Sequence, residues 1–181
     1  ITTGSFAAKV DVATANSPVS VTIGDIDGDG KFDVNTASVG DVVSILRNTS
    51  SSGSVSLASR VDFSTGSGAT PQTVTVGDVD GDGKVDVAVS NNGGNTVSVF
   101  RNSSSAGSIT SGSLVAKVDF AGATNGGPFG LALNDIDGDG KPEITIANQN
   151  SGSGSVMKNL APLFETEPND SAAAAMLIAY G

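Results

Sequence analysis

Short runs with apolar residues at every second position recur along this chain, and they recur in register. Val21 and Ile23, Val74 and Val76, and Leu131 and Leu133 alternate with small or polar residues within segments 19–23, 72–76 and 129–133. A period of two places such side chains on one face of a strand. Pro18, Pro71 and Pro128 directly precede these runs. A second alternating run follows at 34–38, 85–90 and 144–148, then a turn at 39–40, 91–94 and 151–154. A third strand ends in a basic residue and an asparagine: Arg47-Asn48, Arg101-Asn102, Lys158-Asn159. A fourth element reads K/R-V-D-[V/F], at residues 9–12, 60–63 and 117–120. Each unit therefore predicts a four-stranded antiparallel meander, with the size and content of a propeller blade. One such sheet cannot bury both faces and must stack on its neighbours. The expected fold is all-β: three four-stranded antiparallel sheets stacked in series, forming a partial propeller or part of an assembled ring. The units are drawn at about 4–52, 53–107 and 108–160, within a domain spanning 1–160.

Between the first two strands of each unit lies a nine-residue loop, D-x-D-G-D-G-K-x-[D/E]. The copies are Asp25, Asp27, Asp29, Lys31, Asp33; Asp78, Asp80, Asp82, Lys84, Asp86; and Asp135, Asp137, Asp139, Lys141, Glu143. They start 53 and 57 positions apart. Four carboxylates in nine residues repel one another unless a cation joins them. Calcium suits an all-oxygen set, taking six to eight ligands in a forgiving geometry, whereas magnesium demands a tighter octahedron. The spacing lets positions 1, 3 and 5 present carboxylates, position 7 its backbone carbonyl, and position 9 a two-oxygen grip. The lysine side chains are expected to point outward. About three Ca²⁺ are implied, one per loop. A metal-free turn is the plain alternative for D-G-D-G, and three copies with four acids each argue against it. An EF-hand is excluded because it needs Glu at position 12, where Thr36, Val89 and Ile146 stand, and helical flanks. A P-loop is excluded because no Ser or Thr follows the lysine.

Charge changes the picture only through these loops. The net charge is −10, yet twelve of the nineteen acids belong to the loops. Nine Lys and Arg spread along 181 residues make no basic patch, so no nucleic-acid partner is expected. No apolar run is long enough to span a membrane, so no insertion is expected. The absence of cysteine excludes a disulfide framework. A secreted or cell-surface bacterial setting, where calcium is abundant, fits these features best.

Loop, flanking strands and period together resemble the FG-GAP or VCBS-type repeats of integrin-α-like β-propellers, over about residues 4–160. Gly127-Pro128-Phe129-Gly130 carries the same likeness ahead of the third loop. The resemblance implies that the loop binds calcium and that a closed propeller has, typically, seven blades. Three blades cannot close a ring, so the chain is expected to be part of one or to associate with another to complete it. The third loop departs from the pattern, with Glu143 for the final Asp and Pro142 before it. Residues 161–181 are taken as a linker and the start of a further domain. There Glu165-Thr166-Glu167-Pro168-Asn169-Asp170-Ser171 resembles the opening of a bacterial pre-peptidase C-terminal domain. A polar linker with an Ala-rich helix capped by Asp170 or Ser171 is the equal alternative.

Catalysis is not expected. Without His or Cys, the Ser-His-Asp, Cys-His and His-ligated zinc chemistries are gone. Asp11, Asp62 and Asp119 recur once per unit, as do Arg47, Arg101 and Lys158, and repetition favours structural roles: hydrogen bonds or ion pairs for the first set, solvated strand ends for the second. Three functional classes remain: adhesion or recognition of a protein or glycan, a structural scaffold or subunit of an extracellular assembly, and an accessory domain of a secreted enzyme. With no Trp and only Tyr180, the aromatic platforms common in sugar binding are missing.

Overall fold

The computed structural model describes residues 1–162, and its regular structure is entirely β. The first sheet holds β1 (Pro18–Gly24), β2 (Asp33–Ser38), β3 (Val42–Leu46) and β4 (Val61–Ser64). The second holds β5 (Pro71–Gly77), β6 (Asp86–Asn91), β7 (Thr96–Phe100) and β8 (Val118–Ala121). The third holds β9 (Pro128–Asn134), β10 (Glu143–Asn148) and β11 (Ser153–Met157). Strands follow one another in sequence order within every sheet, and all pairings are antiparallel. This is the expected meander, three sheets in series with no closed ring.

Two expectations are corrected. Residues 9–12 form no strand, and the third sheet has three strands among the described residues, not four. Both have one cause. The K/R-V-D element pairs with the third strand of the sheet that precedes it in sequence: Val61 lies opposite Ile45, and Val118 opposite Val99. Among the described residues no such strand precedes residues 9–12. Each sheet accordingly starts at a proline, the first extending past residue 52 to Ser64 and the second past residue 107 to Ala121. Expectations for residues 163–181 lie outside the described residues.

The prolines start β1, β5 and β9, where each register is shifted by a bulge. A residue without an N–H is tolerated at such a place. Packing is face to face. Ala37, Val43 and Ile45 of the first sheet meet Val74, Val87, Val89 and Phe100 of the second, with Phe63 edge-on to Phe100 at 6.5 Å. On the other face of the second sheet, Val97 and Val99 meet Leu131, Leu133, Ile144, Ile146 and Met157. The alternation in the sequence thus serves two interfaces, one on each face of the central sheet. Gly24 lets the first two sheets approach, since a Cβ there would stand 2.8 Å from Val76 Cγ2. Among the described residues, no helix is long and apolar enough to cross a membrane.

Gly24→Ala should therefore destabilise the protein by roughly 1–3 kcal/mol, the usual cost of overpacking a filled interface. A lowered urea midpoint with an unchanged slope is the expected result; an unchanged midpoint would show that the sheets can move apart freely.

Candidate metal centres

Each acidic loop is a chain of local hydrogen bonds closed by its own carboxylates. In the first loop, Asp25 accepts from the amides of Asp29 (3.1 Å) and Gly30 (2.9 Å), and Asp29 accepts from the amide of Lys31 (3.0 Å). In the other two loops the first of these donors is the fourth residue and not the fifth: Asp78 accepts from Gly81 (2.7 Å) and Gly83 (2.9 Å), and Asp135 from Gly138 (2.7 Å) and Gly140 (2.9 Å). Gly28 and Gly30 have φ of 65° and 85°, a left-handed curl that favours glycine.

The ninth position anchors the curl to the sheet. Asp33 accepts from the amide of Ile26 inside the loop (3.0 Å) and from that of Asn48 beyond β3 (2.8 Å). Asp86 does so from Val79 (2.9 Å) and Asn102 (2.8 Å), and Glu143 from Ile136 (2.9 Å) and Asn159 (3.3 Å). All three carboxylates are buried. Glu143 keeps the pattern despite its extra methylene. Each of these oxygens accepts one N–H and retains a second lone pair.

Carboxylate oxygens of Asp25, Asp27 and Asp29 lie within 4.8 Å of one another, as do those of Asp78, Asp80 and Asp86, and of Asp135, Asp137 and Glu143. Positions 1 and 3 thus converge in every loop. Position 5 joins them in the first loop only, and position 9 in the second and third. Asp33, Asp82 and Asp139 stand outside these tightest groups. The donor set is all oxygen, and Asp80 Oδ2 is buried without a hydrogen-bond partner among the described residues. An oxygen so placed is costly unless a cation satisfies it. The residues present fit a hard divalent ion.

Two structural roles differ from those expected. The basic residue after the third strand is no idle strand end: Arg47 pairs with Asp27 and with Asp29 (2.7 Å), Lys158 with Asp137 and Asp139 (3.5 Å), and Arg101 more distantly with Asp82 (3.7 Å). Nor do all the loop lysines point away. Lys31 is exposed, but Lys84 Nζ donates to the Ser104 carbonyl at 2.9 Å and Lys141 Nζ to that of Ala161 at 2.7 Å. The signal for both lay in the invariant order of basic residue and asparagine across three units, which the charge pattern alone does not decode. Asp62 and Asp119 are structural acids, accepting from the hydroxyls of Ser44 (2.6 Å) and Ser98 (2.5 Å) and pairing with Arg60 and Lys117.

The asparagines carry a further role that sequence reasoning missed. Asn102 Nδ2 donates to the Val85 carbonyl of its own sheet (2.9 Å) and to the Ile26 carbonyl in the first acidic loop (2.7 Å). Asn159 Nδ2 likewise reaches Pro142 (3.1 Å) and Val79 in the second loop (2.8 Å). The first and second loops are therefore each fastened to the next sheet in the series.

The FG-GAP-like repeat model matches this chain twice, over residues 33–89 and 78–146. The chain belongs to that family. It is a β-propeller-type repeat module, and such repeats are typical of extracellular proteins. Among solved structures, selenomethionine-substituted virginiamycin B lyase from Staphylococcus aureus aligns with a TM-score of 0.50 and 11% identity. The match covers 81% of this chain and 39% of that one, so the chain spans about two fifths of its length. At that identity the likeness concerns the fold alone. No curated protein matches the chain.

Desolvation by burial raises Asp86 from its ordinary 3.8 to about 6, against the lowering by its two amide donors, and raises Asp33 in the same direction. An acid whose folded-state pKa lies above its unfolded value favours folding while protonated, so that stability is lost as pH rises through the window between the two. Asp41, lowered by the amides of Thr70 and Gly68, acts in the opposite sense and at lower pH, below 3.8. Metal-stripped protein should accordingly show a urea midpoint that falls from about pH 4 to about pH 6, and Asp86→Asn should flatten that fall. A midpoint that rises across the window would contradict the burial argument.

Proposed function

We propose that this chain is a calcium-binding, non-catalytic propeller module of a secreted or cell-surface bacterial protein, serving adhesion or recognition of a protein or glycan. The observation that carries the reading is the convergence of carboxylate oxygens in all three loops, with a buried oxygen of Asp80 left unpartnered. Calcium would be held by Asp25, Asp27 and Asp29, by Asp78, Asp80 and Asp86, and by Asp135, Asp137 and Glu143. Asp33, Asp82 and Asp139 and the carbonyls of Lys31, Lys84 and Lys141 stand within the same curls. Bound there, the ion would supply positive charge that offsets carboxylate repulsion and fixes each loop. This is structural chemistry, and it calls for no substrate.

The non-catalytic reading is supported by what the sequence lacks and by what its acids already do. There is no His or Cys. The carboxylates outside the loops that recur in K/R-V-D serve ion pairs and hydroxyl donors, as the Asp62 and Asp119 bonds illustrate. What remains for function is a rigid stack whose turns and loops face outward, a form suited to presenting a binding surface.

Thermal melting of metal-stripped protein with added calcium, with magnesium as control, tests the calcium reading. Saturation at about 100 times Kd stabilises by roughly 2.7 kcal/mol per site that binds only the folded chain. The melting temperature should rise markedly with calcium, less with magnesium, and less with calcium in Asp80→Asn. A melt indifferent to calcium would remove the reading. Binding of the calcium-loaded chain to arrayed glycans and extracellular proteins tests recognition, and no retained ligand would favour a scaffold.

A further inference from the structure

Three segments carry the K/R-V-D pattern and three sheets carry a third strand, but among the described residues only two of each are paired. β4 lies on β3 and β8 on β7, while β11 keeps an open edge and residues 9–12 lie on no strand. We propose that residues 9–12 of one copy of this chain form the outer strand on β11 of a second copy, joining the two head to tail.

The side chains left over match. In the complete sheets Ser44 lies opposite Asp62 and Ser98 opposite Asp119, with the hydroxyl donating to the carboxylate at 2.6 and 2.5 Å. The same spacing sets Asp11 opposite Ser155 and Val10 opposite Val156. Ser155 Oγ accepts from Asn148 Nδ2 at 2.8 Å, as Ser98 Oγ does from Asn91 Nδ2 at 2.8 Å. Yet the Ser155 proton reaches no acceptor among the described residues, where that of Ser98 reaches Asp119. Asp11 pairs only with exposed Lys9, and Val10 and Val156 are 59% and 60% exposed.

The path of the chain brings a second contact with the first. Leaving β4 it enters β5, which stacks on the first sheet, and leaving β8 it enters β9, which stacks on the second. Residues 13–17 lead from the K/R-V-D segment to β1 in the same way. Five residues reach up to about 17 Å, enough for the spacing of roughly 10 Å between stacked sheets. The apolar face of β1 would then cover the outer face of the third sheet. Val21 and Ile23 are 66% and 58% exposed, although their equivalents Val74, Leu131 and Leu133 are packed. On the receiving face Ala147 and Val156 are exposed, whereas their equivalents Ser90 and Val99 are covered. Asn48 Nδ2 donates only to Phe32, at 2.9 Å, and lacks the second acceptor that Asn102 finds in Ile26. The Ile136 carbonyl of the partner copy occupies the equivalent place. One irregularity shapes the fit: Asn134 stands where Gly24 and Gly77 admit Val76 and Leu133. Strand addition to an open edge, repeated head to tail, is a heterologous contact that closes a ring or extends a filament.

Sedimentation equilibrium tests this. The 17.8 kDa chain should show a concentration-dependent mass of at least two copies. Asp11→Pro, which breaks the strand, and Ser155→Glu, which sets a carboxylate against Asp11, should each sediment as monomers. Mixed, they should form a 1:1 complex, because one keeps an intact edge and the other an intact strand. Asn134→Gly should raise the associated fraction. Circular dichroism guards against misfolding; if Ser155→Glu loses its β signal, Val156→Lys replaces it. A wild-type monomer at all concentrations overturns the proposal, as does assembly that survives Asp11→Pro or a mixture that fails to combine.

Discussion

A buried carboxylate at the ninth loop position, accepting one amide from within its loop and one from beyond the third strand, organises this protein. Asp33, Asp86 and Glu143 each join three stretches of one sheet at a single group: loop, second strand and third-strand exit. The arrangement is costly, because burial disfavours the charged form, and Asp86 and Asp33 show it in their raised pKa. Two amide donors offset part of that cost. Neighbouring aspartates add to it, since Asp80 and Asp82 push Asp86 further up. Local positive charge is the general remedy, and the protein supplies some to the neighbouring loop acids, Arg47 pairing with Asp27 and Asp29 and Lys158 with Asp137 and Asp139.

The same geometry links the units into a series. Once the ninth residue has fixed the loop, its second residue is held with the carbonyl toward the next sheet, where Asn102 or Asn159 donates to it. Ile26, the side chain at that position, is buried in the interface between the first two sheets. Loop order and sheet stacking are therefore coupled: a change in one carboxylate acts on a hydrogen bond to the neighbouring sheet and on the apolar seam beside it. A non-directional apolar interface receives a defined register from two or three polar contacts.

Much of this was legible in the sequence. Period-two alternation at Val21 and Ile23 and its equivalents marked strands and their apolar faces, and the repeated acids marked loops. The pairing partner of K/R-V-D was not legible, because alternation tells which face a residue takes and says nothing of which neighbour a strand joins. The basic residue and asparagine after the third strand were visible as a repeat, but their bonds run between segments some 15–80 positions apart. Only the folded sheets bring those segments together. The unequal grouping of carboxylates, with Asp29 inside the first cluster and Asp82 and Asp139 outside theirs, also depends on details of the curl that identical spacing conceals.

Native mass spectrometry of the metal-stripped chain, titrated with calcium, asks the central question most directly: whether the loops exist to surround cations. The account predicts mass increments of up to three calcium ions per chain, with one increment lost when Asp78, Asp80 and Asp86 are all replaced by asparagine. A folded chain that takes up no calcium, or that keeps every increment after that replacement, would contradict it.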